Sequence, residues 1–207
     1  MKLRSSAAFL KAYAAQDLVV ADGNPIVWLA RLAGERISLV PGSDMVLPLA
    51  ELAAGEGVPV ALVGSTEASL AAAAAEMRRL VPGLEIAARV APPMGFDPEG
   101  ASAEAVFAEI EESGARMVFL ALGAPKQEML AARGRARLPA VGFASIGAGL
   151  DFLSGTQRRA PAWVRAIAME WAWRMLSQPS RLVGRYARCF AILPGHMLGA
   201  WLMRFRR

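Results

Sequence analysis

Three apolar runs, each ending in a glycine turn, constrain this chain more than any other feature of it. Residues 58–63 (Val-Pro-Val-Ala-Leu-Val) end at Gly64-Ser65-Thr66, residues 116–122 at Gly123-Ala124-Pro125, and residues 140–146 at Gly147-Ala148-Gly149. Continuous apolar runs of this length suit parallel strands covered on both faces. Shorter strand candidates are 18–21 and 84–90. Helix patterns lie between them: 66–80, alanine-rich and stopped by Pro82-Gly83; 101–113, stopped by Gly114; and a third opened by Pro125 as a first-turn proline, through about residue 137. The alternation predicts the α/β class, a Rossmann-like, mostly parallel sheet flanked by helices.

Past Asp151 the pattern changes. Residues 161–176 read as one helix, with Trp163, Ile167, Trp171 and Met175 at helical spacing; Gln178-Pro179-Ser180 breaks it, and a second helix starts near Ser180. Residues 1–155 are therefore expected to form the sheet domain and 156–207 a helical, arginine-rich appendage. The net charge of +5 is unevenly held: 156–207 carry ten arginines against the single acid Glu170, while the rest of the chain is mildly acidic. A cationic end on an acidic body points to an anionic partner, whether lipid headgroups, a diphosphate or nucleic acid. Aromatic residues are 7% of the chain, too few for a base-stacking platform, so no nucleic-acid partner is expected.

Other classes fall away on residue counts. One cysteine, Cys189, and one histidine, His196, leave no disulfide framework and no zinc site, and no metal or cofactor is expected. No strand exit spells G-x-G-x-x-G with an acid about 20 residues on, and G-x-x-x-x-G-K-[ST] and G-x-S-x-G are absent. Lys11, Gln16 and Asp17 interrupt any apolar signal region after the basic start. The stretch 189–203 falls short of the roughly 20 residues a spanning helix needs, and Pro194-Gly195 is expected to interrupt it. A cytoplasmic chain, peripheral on the inner face of the cell membrane, is the location these features favour.

In an open parallel sheet, ligands bind outside the carboxyl ends of the strands, so the exits at Gly64, Gly123 and Gly147 should converge on one rim. Carboxylates are then the general-base candidates. Asp22 follows the short candidate strand 18–21, and Asp44 precedes a helical run that Ser43 or Asp44 can equally cap. Asp22-Gly23 also suits an ordinary turn. Asp151, set among Leu150, Phe152 and Leu153, needs a polar partner. The appendage arginines are interleaved with Trp163, Trp171, Trp173, Tyr186, Phe190, Trp201 and Phe205. Trp163 and Trp171 are expected to pack the appendage onto the sheet, and residues after Arg185 to meet lipid. The same exposed apolar residues also suit a subunit contact, leaving a homo-oligomer open.

Taken in order, these strings resemble the WecG/TagA/CpsF family of bacterial glycosyltransferases: Ala21-Asp22-Gly23, Gly42-Ser43-Asp44, Gly64, Gly123-Ala-Pro-Lys126-Gln127-Glu128, Gly147-Ala-Gly-Leu-Asp151, Arg159-Ala-Pro161, Glu170-Trp171, Arg174, Pro179-Ser-Arg181 and Arg185-Tyr186. The resemblance covers roughly residues 17 to 190. It implies a metal-independent, inverting transfer from a UDP-sugar to a polyprenyl-diphosphate-linked acceptor in cell-envelope polysaccharide or exopolysaccharide synthesis. It also implies a Rossmann-like domain and an appendage that closes the active site at the membrane. Asp22 would be the catalytic base, and Gln127 would lie in the pocket. Asp44, Gly64, Gly123, Lys126, Glu128, Gly147 and Asp151 would contact substrate, with Arg159, Arg174, Arg181 and Arg185 holding diphosphate groups. The chain departs from the family at Leu39, where an arginine is common, with Arg36 the nearest substitute, and it lacks a Thr/Asn-containing block ahead of Asp22. The rival expectation is a non-catalytic relative that holds a nucleotide sugar or an anionic lipid.

Overall fold

A strand covered on both faces can be apolar at every position, and β1 (Val60–Gly64) is buried along its whole length. Its side chains alternate, as a pleated strand requires: Val60 and Leu62 join one core cluster, Ala61 and Val63 the other. The computed structural model describes residues 2–177 and 179–205, with the backbone alone at Lys2, Arg181 and Arg185. Two compact units are present, one of residues up to 19 with 42–158, the other of 20–41 with 159–207.

The first unit opens with helices α1 (Lys2–Ser5) and α2 (Ala7–Ala14). It leaves out α3 (Asn24–Leu32), which belongs to the second unit, and resumes with α4 (Gly42–Gly55). Then β1, α5 (Glu67–Leu80), β2 (Ile86–Val90), α6 (Ala101–Glu112), β3 (Met117–Ala121), α7 (Lys126–Arg137), β4 (Gly142–Ser145) and α8 (Gly149–Leu153) follow. The four strands form an all-parallel sheet in the order β2-β1-β3-β4. One face carries residues of α4, α5 and α8, including Val46, Leu70, Met77 and Leu150; the other carries Phe107 and Ile110 of α6 and Leu130 of α7. Each fully buried Phe or Leu contributes about 1.5–3 kcal/mol, and Phe107, Phe119 and Leu62 are among the largest of them.

Local chemistry sets the helix starts. Thr66 Oγ1 accepts from the Ser69 amide at 3.2 Å and caps α5, a contact worth about 1 kcal/mol. Pro125 stands at the N-cap of α7, one residue earlier than expected, after a cis peptide bond. Helix α4 begins at Gly42, so Asp44 lies inside its first turn instead of preceding it. In α7, Gly134 is a notch: a Cβ there would sit 2.5 Å from the Phe143 ring, so glycine sets how closely the helix approaches β4.

In the second unit, α3 is followed by α9 (Ala162–Ala166), α10 (Glu170–Ser177) and α11 (Pro179–Met203). The expected strand 18–21 is absent. Leu18 and Val19 are exposed, and only Ala21 pairs, as an isolated parallel bridge to Leu39 with the Val40 amide on the Ala21 carbonyl. The expected single helix over 161–176 is two. Ala168 adopts φ +60, its amide bonds the Arg165 carbonyl and the Met169 amide bonds that of Val164. That is a Schellman ending with alanine where glycine is usual. The reverse happens at Pro194, where α11 continues through the proline. Among the described residues no helix is long and apolar enough to cross a membrane. Trp163 does not pack as expected, being 67% exposed. Trp171 instead meets Tyr186 and Phe190 of α11 edge-on, with ring centroids 6.0 and 5.1 Å apart.

Candidate active site

The sheet order fixes where a ligand belongs in the first unit. From β1 the chain moves outward to β2, then crosses back to β3 on β1's other side, and such a switch point opens a crevice at the strands' carboxyl ends. Gly64 ends β1 at φ +126. A Cβ on it would lie 2.6 Å from the Ala121 carbonyl oxygen, so no other residue lets the two backbones meet there.

The β3 and β4 exits are joined by one side chain. Gln127, 7% exposed, accepts at Oε1 from the amides of Gly123 and Gly147, each at 3.2 Å, and donates from Nε2 to Glu128 Oε1 at 3.0 Å. A buried amide has to find such partners. Glu128 Oε2 is buried with no hydrogen-bond partner among the described residues, and so is Ser145 Oγ at the end of β4. Lys126, half-buried, is the first residue of α7. Asp151, on α8, has both partners that its apolar neighbours demand: Ser65 Oγ donates to Oδ1 at 2.9 Å and Gln157 Nε2 to Oδ2 at 2.7 Å. Asp44 is exposed in the first turn of α4, where the helix dipole favours a carboxylate. The start of α4 lies beside the end of β4, since a Cβ on Gly42 would stand 3.3 Å from the Ser145 carbonyl oxygen. The exits of β1, β3 and β4 and the residues singled out near them thus share one rim.

The remaining sequence candidates belong to the second unit. Asp22 is exposed, between the bridge residue Ala21 and Gly23, which precedes α3 as its N-cap. Arg159 and Arg174 are half-buried, Arg174 in the last turn of α10. Arg181 and Arg185 lie on α11, their side chains outside the described residues. Arg36 is exposed. A shallow cleft of about 60 Å³ is lined by Pro25, Trp28, Leu29, Leu32, Leu193 and Met197.

Three features escaped the sequence. Ser65 was legible only as part of a turn, and its bond to Asp151 spans 86 positions. Gln157 carries no local signal, because a short turn after α8 brings it back to Asp151. The cleft did carry one: 25, 28, 29 and 32 are the i, i+3, i+4, i+7 positions of one helical face. Among the described residues no three His, Cys, Asp or Glu side chains gather as a metal ion would require.

A family model described as the glycosyl transferase WecG/TagA/CpsF family matches residues 1–207, the whole chain, further than the motif strings reach. The family works in cell-envelope polysaccharide synthesis, joining a sugar donor to a lipid-linked acceptor. With a parallel sheet whose exits meet at a switch point, and with the Gly-Ala-Pro-Lys-Gln-Glu block on that rim, the chain belongs to the WecG/TagA/CpsF family of glycosyltransferases.

Proposed function

We propose that the protein is an inverting glycosyltransferase that takes a sugar from a UDP-sugar and gives it to a polyprenyl-diphosphate-linked acceptor, without a metal ion, for envelope or exopolysaccharide synthesis. The observation that carries the reading is the buried Gln127 at the switch-point rim, within a chain that matches this family from end to end. Glycine turns at 64, 123 and 147 let a nucleotide approach the backbone closely. Lys126 offers a cation, and Glu128 Oε2, still lacking a donor, offers an acceptor for a ribose or sugar hydroxyl. Asp44 completes the donor side.

In an inverting transfer one carboxylate removes the acceptor hydroxyl's proton as that oxygen bonds to the anomeric carbon, and the bond from that carbon to the UDP oxygen breaks with its electrons. Asp22 is the residue we assign as this base. Charge growing on the departing diphosphate calls for guanidinium groups, and Arg159, Arg174, Arg181 and Arg185 are assigned that part. Exposed Phe190, Leu198, Trp201 and Phe205 on and after α11, among arginines, support attachment to an anionic membrane surface on its cytoplasmic side.

The test is UDP release with a panel of UDP-sugars and a polyprenyl-diphosphate acceptor, in a metal chelator. Wild type is expected to turn over, and Asp22→Asn to lose about 10²–10⁴-fold in kcat. Equal transfer by the variant removes Asp22 from the role. Tight UDP binding without turnover on every donor makes the protein a non-catalytic holder of nucleotide sugar.

A further inference from the structure

Ser65 is a serine in a glycine's conformation. It follows Gly64 at the end of β1 with φ +55, and only it and Ala168 are non-glycine residues with positive φ among the described residues. Such a residue persists where its surroundings over-determine it. Here they do: its hydroxyl donates to Asp151 Oδ1 at 2.9 Å, and Gln157 Nε2 holds the other carboxylate oxygen at 2.7 Å. The Asp151 carbonyl is held as firmly. Ser154 Oγ, Thr156 Oγ1 and the Gln157 amide each lie 3.1 Å from it. Ser69, buried in the first turns of α5, donates to Ser154 Oγ at 2.9 Å and so ties the helix that follows Ser65 into the same knot.

Both oxygens of Asp151 are therefore engaged with protein donors, one of them on the strained turn of the switch-point strand. We infer that Asp151, Ser65 and Gln157 act as a positioning unit: the carboxylate is a strut that keeps Ser65 left-handed at the end of β1, and Asp151 serves donor binding through that turn instead of by touching the sugar nucleotide. This rests on the donor reading given above for the same rim. It adds Ser65 and Gln157 to the residues that reading needs, and it turns Asp151 from a contact into a support.

The distinction is measurable, because an amide can replace the carboxylate in a strut. In Asp151→Asn, Oδ1 still accepts from Ser65, and Nδ2 can donate to Gln157 once that side chain turns its own amide over. A carboxylate that met substrate hydroxyls by its charge would lose that interaction in Asp151→Asn as much as in Asp151→Ala. Steady-state transfer and hydrogen exchange of the 64–68 amides are compared in wild type, Asp151→Asn, Asp151→Ala, Ser65→Ala, Gln157→Ala and Ser65→Ala/Asp151→Ala.

Asp151→Ala is expected to raise the KM for the UDP-sugar about tenfold with kcat little changed, the effect of about one lost charge-assisted hydrogen bond, and to speed exchange at 64–68. Asp151→Asn stays within about threefold on both readouts, Gln157→Ala falls between, and the double variant is no worse than Asp151→Ala alone. Asp151→Asn as impaired as Asp151→Ala, additive KM effects in the double variant, or unchanged exchange in Asp151→Ala would each overturn the inference. If wild type uses no UDP-sugar, the donor reading fails on its own, and the exchange pattern alone then decides whether the strut exists.

Discussion

In the first unit Phe107, Phe119 and Leu62 are wholly buried, whereas in the second Trp163, Phe190, Trp201 and Phe205 are roughly half or more exposed. Polar groups divide the same way. Gln127 and Asp151 are bonded on every side among turns and helix ends, while the second unit spreads arginines over short helices whose buried apolar residues, Val27, Ala160, Val164, Leu182 and Ala200, are few and mostly small. A sheet with both faces covered holds backbone turns to a fixed shape, as a pocket for a sugar donor requires. Helices that keep large rings in contact with solvent gain little from folding alone and are suited to meeting another surface.

The contrast is open to attack first at Gly64. Gly64→Val adds atoms where even a Cβ would lie 2.6 Å from the Ala121 carbonyl, at a φ of +126. A loss of about 3 kcal/mol or more is expected by urea denaturation, and a loss below about 1 kcal/mol would show that the rim is looser than its contacts suggest. The next test separates stability from attachment. Trp201→Ala with Phe205→Ala removes two exposed rings that meet edge-on with centroids 4.9 Å apart. Stability should change by about 0.5 kcal/mol or less, while co-sedimentation with anionic vesicles falls severalfold. A stability loss comparable to that of Gly64→Val would show that these rings are core and not surface.

The smallest effect is expected at Glu76. The Arg79 guanidinium hydrogen-bonds its carboxylate at 2.6 Å and holds it below the usual glutamate range. A carboxyl lowered in the folded state adds stability above its unfolded pKa and loses it as pH falls through the lowered value. The pair is exposed, however, so Glu76→Gln should leave the melting temperature at pH 7 nearly unchanged and only slightly flatten the acid side of a stability-against-pH curve. A clear drop at pH 7 would mean that surface ion pairs matter to the first unit as much as its packing.

What the sequence disclosed follows the same division. β1, β3 and the helices after them were legible because burial on both faces demands unbroken apolar runs, and because Gly64, Thr66 and Gly114 mark ends through backbone chemistry that any reader of the chain can see. In the second unit, and in the two residues that lead into it, the signals mislead. Leu18 and Val19 look like strand yet lack a sheet to join, Ala168 ends a helix without glycine, and Pro194 lies inside α11 without ending it. At the site, residue types near the strand exits could be read, but Ser65 and Gln157 could not, since their importance lies in bonds to Asp151 that only the folded chain creates.

Gln127 carries a consequence of its own. One oxygen atom serves the amides of Gly123 and Gly147 together. Gln127 follows Gly123 by four residues and moves with it, so a guest that parted these loops would leave the Gly147 amide without its acceptor, at a cost of about 1–3 kcal/mol. That oxygen works as a clasp, fastening one strand exit to the next.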